Sequence, residues 1–191
     1  MDNKYIALII VVLVVIVGLG GFFAYQEQQS SNYNNNLKKS DGFWLDARAS
    51  FTQINMENES SQNNINYIKD SIDFTDQAIN TTQEMFKTAP DNATKEFARI
   101  RLEQFQESKK VMGLYQQIIE KMQTSGIEGA METAKKLETQ LTTSTQKLDS
   151  LQNQLIDLAN SNPSLKNRLI NVLGEERVNE MLQKPGTAGA G

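Results

Sequence analysis

Apolar residues in this chain follow two patterns: one continuous run near the start, and a helical repeat over most of the remainder. The run covers residues 6–24, nineteen uncharged and mostly apolar residues bracketed by Tyr5 and Tyr25. At about 1.5 Å per residue such a helix is about 30 Å long, the thickness of a bilayer's hydrocarbon core. Aromatic residues at both ends are typical of membrane interfaces. The pattern predicts a single-pass transmembrane anchor over residues 1–25 and therefore a location in the cell membrane.

A cleaved secretory signal is the alternative interpretation of the same segment. The small residues Gly18-Leu19-Gly20 could precede a cleavage site. The apolar run continues beyond them through Phe22 and Phe23, which makes it longer than a signal peptide's apolar region and favours an uncleaved anchor. Positive charges near the two ends of the run are nearly balanced, so they do not decide the orientation. Because a short leader precedes a large polar domain, we expect the bulk of the chain to be extracytoplasmic.

A seven-residue repeat of mostly apolar positions begins at Trp44 and keeps its phase to Phe86. Its two positions are occupied mainly by Trp44, Phe51, Ile65, Ile72, Ile79 and Phe86, and by Ala47, Ile54 and Ile68. Spacings that alternate between three and four keep one side facing a partner helix, as in coiled coils and helical bundles. The pattern predicts one helix of about 45 residues, bent or loosened at the polar residues Asn58 and Ser61. The polar residues 26–40 predict a flexible linker, or a frayed helical extension, before it.

Proline and glycine signals separate the helices that follow. An apolar stripe predicts a second helix over residues 92–124, which ends near Gly126. A heptad pattern with many leucines predicts a third helix over residues 127–158. Pro163 starts a short fourth helix. Because short connections between long helices favour antiparallel neighbours, we predict an all-α fold. Its domain, residues 41–183, is an antiparallel up-down-up bundle of three long helices plus a short C-terminal helical segment, followed by a flexible tail over 184–191.

Composition narrows the chemistry that this chain can perform. It contains no cysteine and no histidine, which excludes disulfides and zinc–thiolate sites and removes the commonest general base. We therefore expect no enzyme activity and no cofactor. Asp70, Asp73 and Asp76 share a helix face that could hold a hard cation, but they lie outside the apolar seam, which favours a solvated acidic face over a metal site. A net charge of −4 and isolated basic pairs argue against nucleic-acid binding.

Aromatic residues at the start of the first long helix stand out as candidate site residues. Because that helix is longer than the other two, Phe43, Trp44 and Phe51 lack an obvious partner within the chain. We expect them to form an interaction surface for a protein partner or a second copy. The alternative is that the C-terminal helices fold back and cover them.

These observations predict a membrane-anchored, extracytoplasmic helical bundle with a structural or protein-interaction role, such as a scaffold or spacer. The prediction depends on the anchor, the heptad seams and the lack of catalytic residue types. The alternative is an extracytoplasmic module that binds or senses a small ligand and acts through a membrane partner.

Overall fold

The computed structural model describes residues 29–55 and 61–183, and within these ranges the chain is helical without strands. The helices are α1 (residues 29–52), α2 (Ser61–Lys87), α3 (Asn92–Ser161), α4 (Pro163–Leu173) and α5 (Glu175–Met181). The predicted all-α class is confirmed. Among the described helices, none combines the length and apolar character needed to cross a membrane. The predicted anchor over residues 1–25 and the tail over 184–191 lie outside the described residues.

The predicted single helix from Trp44 to Phe86 is wrong, because the chain reverses within it. Helix α1 ends at residue 52, and α2 returns antiparallel, so that the Ser71 hydroxyl donates to the Ala47 carbonyl at 2.8 Å. Two hydrogen bonds between Asn64 and Asn55 join the two helices at this end. The Asn64 side-chain oxygen accepts from the Asn55 N–H at 3.0 Å, and the Asn64 side-chain nitrogen donates to the Asn55 carbonyl at 2.8 Å. The heptad phase continues through the turn, so periodicity alone could not distinguish one long helix from a hairpin.

The predicted flexible linker over residues 26–40 is also helical from residue 29 onwards. Tyr33, Leu37 and Ser40 are buried, with spacings of four and three that place them on one face of α1. Ser40 shares a 2.6 Å hydrogen bond with Thr82 of α2. Within residues 29–40 only these three positions are buried, and one of them is polar, which explains why the composition of this segment predicted a spacer.

Helix α3 folds back on itself at Gly126, the predicted break. Gly126 has φ 68° and ψ −167°, a conformation that belongs almost exclusively to glycine. The side chains of Glu107 and Lys147 meet at 3.0 Å, although forty residues of straight helix would separate them by about 60 Å. We call residues 92–125 the first arm and residues 127–161 the second arm of α3.

The described helices therefore form an up-down-up-down bundle of four long segments instead of the predicted three. Helix α1 runs parallel to the first arm, since the Tyr33 hydroxyl donates to the Thr94 carbonyl and Trp44 packs against Phe105. Helix α2 and the second arm run in the opposite direction. The extra segment arises because the predicted first helix is two helices.

The short helices α4 and α5 pack against the end of the bundle where α1 begins. Pro163 occupies the first turn of α4, as predicted, while the Asn162 side chain bonds the Leu158 carbonyl at the end of α3. Leu165, Leu169 and Val178 are buried in one cluster with Tyr33 and other residues of α1 and α3. This packing brings α5 beside the middle of α1, where the candidate site lies.

Candidate functional site

A cleft lies between α1, the two arms of α3 and α5, and it has two adjoining parts. The polar part has a volume of about 260 Å³ and the apolar part about 290 Å³. Both parts are lined by Trp44, Arg48, Ser108 and Leu148. We call the whole the arginine–tryptophan cleft.

Helical spacing explains why these side chains converge. On α1 the residues that face this region, Asp41, Trp44, Arg48 and Phe51, follow one another at intervals of three and four. The first arm does the same with Arg101, Gln104, Ser108 and Met112, and the second arm contributes Leu148 and Gln152. Residues spaced this way lie on one helix face. The cleft is therefore built on rigid helices along its length.

The polar part is organised around one buried carboxylate. Asp41 accepts hydrogen bonds from Nε and Nη2 of Arg177, both at 2.8 Å, while Arg101 lies 3.8 Å from the same carboxylate. The Asp41 and Arg101 side chains are 5% and 8% exposed, and that of Arg177 is 14% exposed. Arg177 also pairs with Glu180 at 3.0 Å, on the solvent side. Two guanidinium groups thus share one deeply buried anion.

Burial and neighbouring charges affect the two arginines in opposite directions. Burial lowers the pKa of Arg101; Asp41 opposes this, and the positive charges of Arg177 and Arg48 lower it further. For Arg177, burial acts to lower the pKa, but the hydrogen bonds and charges of Asp41 and Glu180 outweigh it and raise the pKa. Both groups stay protonated at neutral pH, as arginine does in proteins. Arg101 is therefore a buried cation whose charge is only partly compensated.

Arg101 also has few hydrogen-bond acceptors for its five N–H donors. Its Nη1 donates to Gln104 Oε1 at 3.1 Å, and its guanidinium lies 4.4 Å from the centre of the Phe105 ring. Arg48, on the neighbouring helix, is exposed and forms no ion pair with any described residue. The polar part of the cleft therefore presents guanidinium donors that ion pairs do not fully engage, beside the exposed carboxylates of Asp149 and Glu180.

The apolar part is formed by aromatic and aliphatic side chains. Trp44 packs against Phe105 with ring centres 5.1 Å apart, and Phe51 meets Tyr115 edge-on at 5.4 Å. Val111, Met112 and Leu148 complete its wall. Trp44 is the only tryptophan in the chain and lines both parts of the cleft.

The structure places the three predicted interaction residues in different environments. Trp44 and Phe51 are half-buried and have aromatic partners within the chain, so the expectation that they lack one is wrong. Their partners lie on the first arm of α3, which the predicted three-helix arrangement could not bring beside them. Phe43 is half-buried and does not line the cleft. A role for these residues in contacting another protein stays a prediction.

Sequence reasoning did not identify the charged residues of the cleft. One signal was present: Arg101 lies four residues from both Phe97 and Phe105, in the middle of an apolar stripe. Its partners Asp41 and Arg177 are distant in sequence, and no local pattern connects them.

The three aspartates on the acidic face of α2 have different surroundings in the structure. Asp70 and Asp73 are exposed, and Asp76 pairs with Lys109 at 2.6 Å. No group of three or more potential metal ligands occurs in residues 29–55 and 61–183. The aspartates belong to a solvated helix surface.

No protein-family model, curated protein or solved structure matches this chain.

Proposed function

We propose that this protein is a membrane-anchored, extracytoplasmic helical bundle that binds a small ligand in the arginine–tryptophan cleft. The observation that supports this proposal is the buried Arg101, which lines a cleft and is only partly compensated by Asp41. Burying a charge without full pairing costs free energy, and ionisable groups perturbed in this way cluster in functional clefts. A concave site with an apolar wall and a few convergent polar groups is the usual form of a small-molecule site.

The proposed attachment depends on residues 6–24, the apolar run near the start of the chain. This run ends at Ala24, only five residues before the first described residue of α1. Asp41 is twelve residues further along α1, which corresponds to about 18 Å of helix. Attachment at residues 6–24 would therefore tether the cleft close to the lipid.

Cysteine labelling in intact cells tests the orientation, because the chain has no cysteine of its own. We expect Ser150→Cys, at an exposed position of the second arm, to react with a membrane-impermeant maleimide. Labelling only after the cells are permeabilised would refute the extracytoplasmic orientation. Recovery of the protein in the soluble fraction would refute the anchor.

A thermal-shift screen of the full chain in detergent tests ligand binding, since a ligand that binds the folded state raises the melting temperature. The variant Leu148→Trp places a larger side chain in the wall shared by both parts of the cleft. Leu141→Trp, on the same arm and outside the cleft, is the matched control. We expect the screen to find ligands that raise the melting temperature of the parent and of Leu141→Trp but not that of Leu148→Trp. Equal stabilisation of all three proteins would place binding elsewhere.

A protein-interaction role, as scaffold or spacer, is the second candidate, and the tip of the α3 hairpin favours it. Ile127 and Met131, one helical turn apart, are 55% and 68% exposed. This is an uncommon degree of exposure for two large apolar residues that neighbour each other on a helix face. A photo-crosslinker at position 131 should capture a specific partner or a second copy, whereas one at exposed Lys69 of α2 should not. The same products from both positions would refute this role for the tip.

A further inference from the structure

The charge balance of the cleft indicates the kind of ligand that it can hold. Arg177 is engaged by two carboxylates, Asp41 at 2.8 Å and Glu180 at 3.0 Å, whereas the buried Arg101 lies 3.8 Å from Asp41. Arg48, which lines both parts of the cleft, forms no ion pair with a described residue. Asp149 also lines the polar part, but it is exposed, where water and salt screen its charge. Two guanidinium groups, one of them partly compensated, suit a monoanion better than a dianion.

The shape of the apolar part indicates what the anion is attached to. Its wall runs along α1 from Trp44 to Phe51, seven residues or about 10 Å of helix. Val111, Met112 and Leu148 line the same groove, and Ser108 and Thr52 are its small polar members. An apolar wall of this length along a helix provides extended contact for a linear chain.

We propose that the arginine–tryptophan cleft binds a linear amphipathic carboxylate, a medium-chain fatty-acid anion. The carboxylate lies between the guanidinium groups of Arg48 and Arg101, whose planar donors match its geometry. The hydrocarbon chain lies along Trp44, Phe51 and Leu148. This inference names the ligand class of the proposed binding function and depends on that function.

Trp44 supplies a direct measurement, because the only tryptophan of the chain lines the cleft. The full chain in lipid nanodiscs is titrated with decanoate that carries a bromine atom, which quenches tryptophan fluorescence on contact. Brominated decanol, with the same chain and no charge, controls for partition into the lipid. We expect saturable quenching by the decanoate and at least ten-fold weaker binding of the alcohol, because the alcohol forfeits charge-assisted hydrogen bonds.

Two matched pairs of variants test the two halves of the proposed site. Arg48→Gln removes an exposed cation of the cleft and should weaken the binding of decanoate at least five-fold, whereas Lys69→Gln on α2 should leave binding unchanged. Leu148→Asn should weaken binding, whereas Leu45→Asn, at a 39% exposed position of α1 outside the cleft, should not. Arg48 and Leu45 are exposed, so replacement of either residue leaves the fold intact.

Chain length and headgroup complete the test. Hexanoate, octanoate and decanoate should bind with affinities that rise two- to four-fold per methylene, as burial of each methylene in apolar surroundings predicts. Equal binding of decanoate and decanol, or unchanged binding by Arg48→Gln, would overturn the proposal. Tighter binding of decyl phosphate, or of a peptide that ends in leucine, would also overturn the assignment.

Failure of this proposal is distinguishable from failure of the proposed function. If decanoate does not quench Trp44 but another compound stabilises the parent and not Leu148→Trp, the ligand class is wrong and the cleft is still a binding site. If no compound in the screen discriminates between the parent and Leu148→Trp, the binding function itself is wrong.

Discussion

Replacement of Asp41 by asparagine tests whether the buried charges of the cleft are energetically coupled. Asp41 is 5% exposed and is the common anion of Arg101 and Arg177. Removal of one partner from a buried ion pair costs about 3–5 kcal/mol, because the remaining charge is left without compensation. The amide oxygen of asparagine can still accept one hydrogen bond from Arg177, which places the expected loss at about 3 kcal/mol.

That loss is large enough to measure by thermal unfolding. For chains of this size, 1 kcal/mol changes the melting temperature by about 2–4 °C, so Asp41→Asn should melt about 6–12 °C below the parent. The assay is circular dichroism at 222 nm on the full chain in detergent. Asp46→Asn is the matched control, because Asp46 is an exposed carboxylate on the same helix and its replacement should change the melting temperature by less than about 2 °C.

A second substitution separates loss of charge compensation from general damage to the fold. In the Asp41→Asn background, Arg101→Gln removes the buried cation that has lost its partner and should recover part of the stability. If Asp41→Asn melts within 2 °C of the parent, the two arginines do not depend on this carboxylate. If Arg101→Gln adds its full loss to that of Asp41→Asn, the groups are independent and the electrostatic account of the cleft is wrong.

Three further predictions concern the α3 hairpin and the aromatic residues. Gly126→Ala should destabilise the fold by about 1–3 kcal/mol, because a φ of 68° disfavours a side chain. Gly113→Ala, with open space around the added methyl, should stabilise the first arm by about 0.5–1 kcal/mol. Urea unfolding measures both free energies, and equal effects would refute the conformational requirement for glycine at position 126. Burial acts to raise the pKa of Glu107, but the neighbouring groups, including Ser144, Lys147 and Lys110, outweigh it and lower the pKa below the usual 4.5. This stabilisation is present above pH 4.5 and is lost as the pH falls through the lowered pKa. The melting temperature of Glu107→Gln should therefore depend less on pH between 5 and 3 than that of the parent, and parallel curves of melting temperature against pH would contradict this. Phe51→Ala should lower the free energy of unfolding in urea by about 1–3 kcal/mol through loss of the contact with Tyr115. Leu45→Ala, at an exposed position, should lower it by less than about 0.5 kcal/mol. An unchanged stability of Phe51→Ala would indicate that Phe51 is free for another partner.

Local signals in the sequence correctly predicted where several helices begin and end. The break at Gly126 and the start of α4 at Pro163 both lie where predicted, because the preferences of glycine and proline are properties of the single residue and its nearest neighbours. The turn between α1 and α2 was missed for the opposite reason. No proline or glycine marks it, and Asn64 closes it by bonding back to Asn55, a contact that exists only after the chain has reversed.

The sequence by itself determined the all-α class, the apolar faces of most helices and the absence of thiol and imidazole chemistry, because these follow from residue types and spacings along a single helix. Only the tertiary structure decided that the bundle has four long segments in its described part, since the heptad phase is the same for one long helix and for two that pair. It also decided the cleft. Arg177 reaches Asp41 across 136 positions of sequence, and the ion pair forms only because α5 packs beside α1 after α3 has folded back at Gly126.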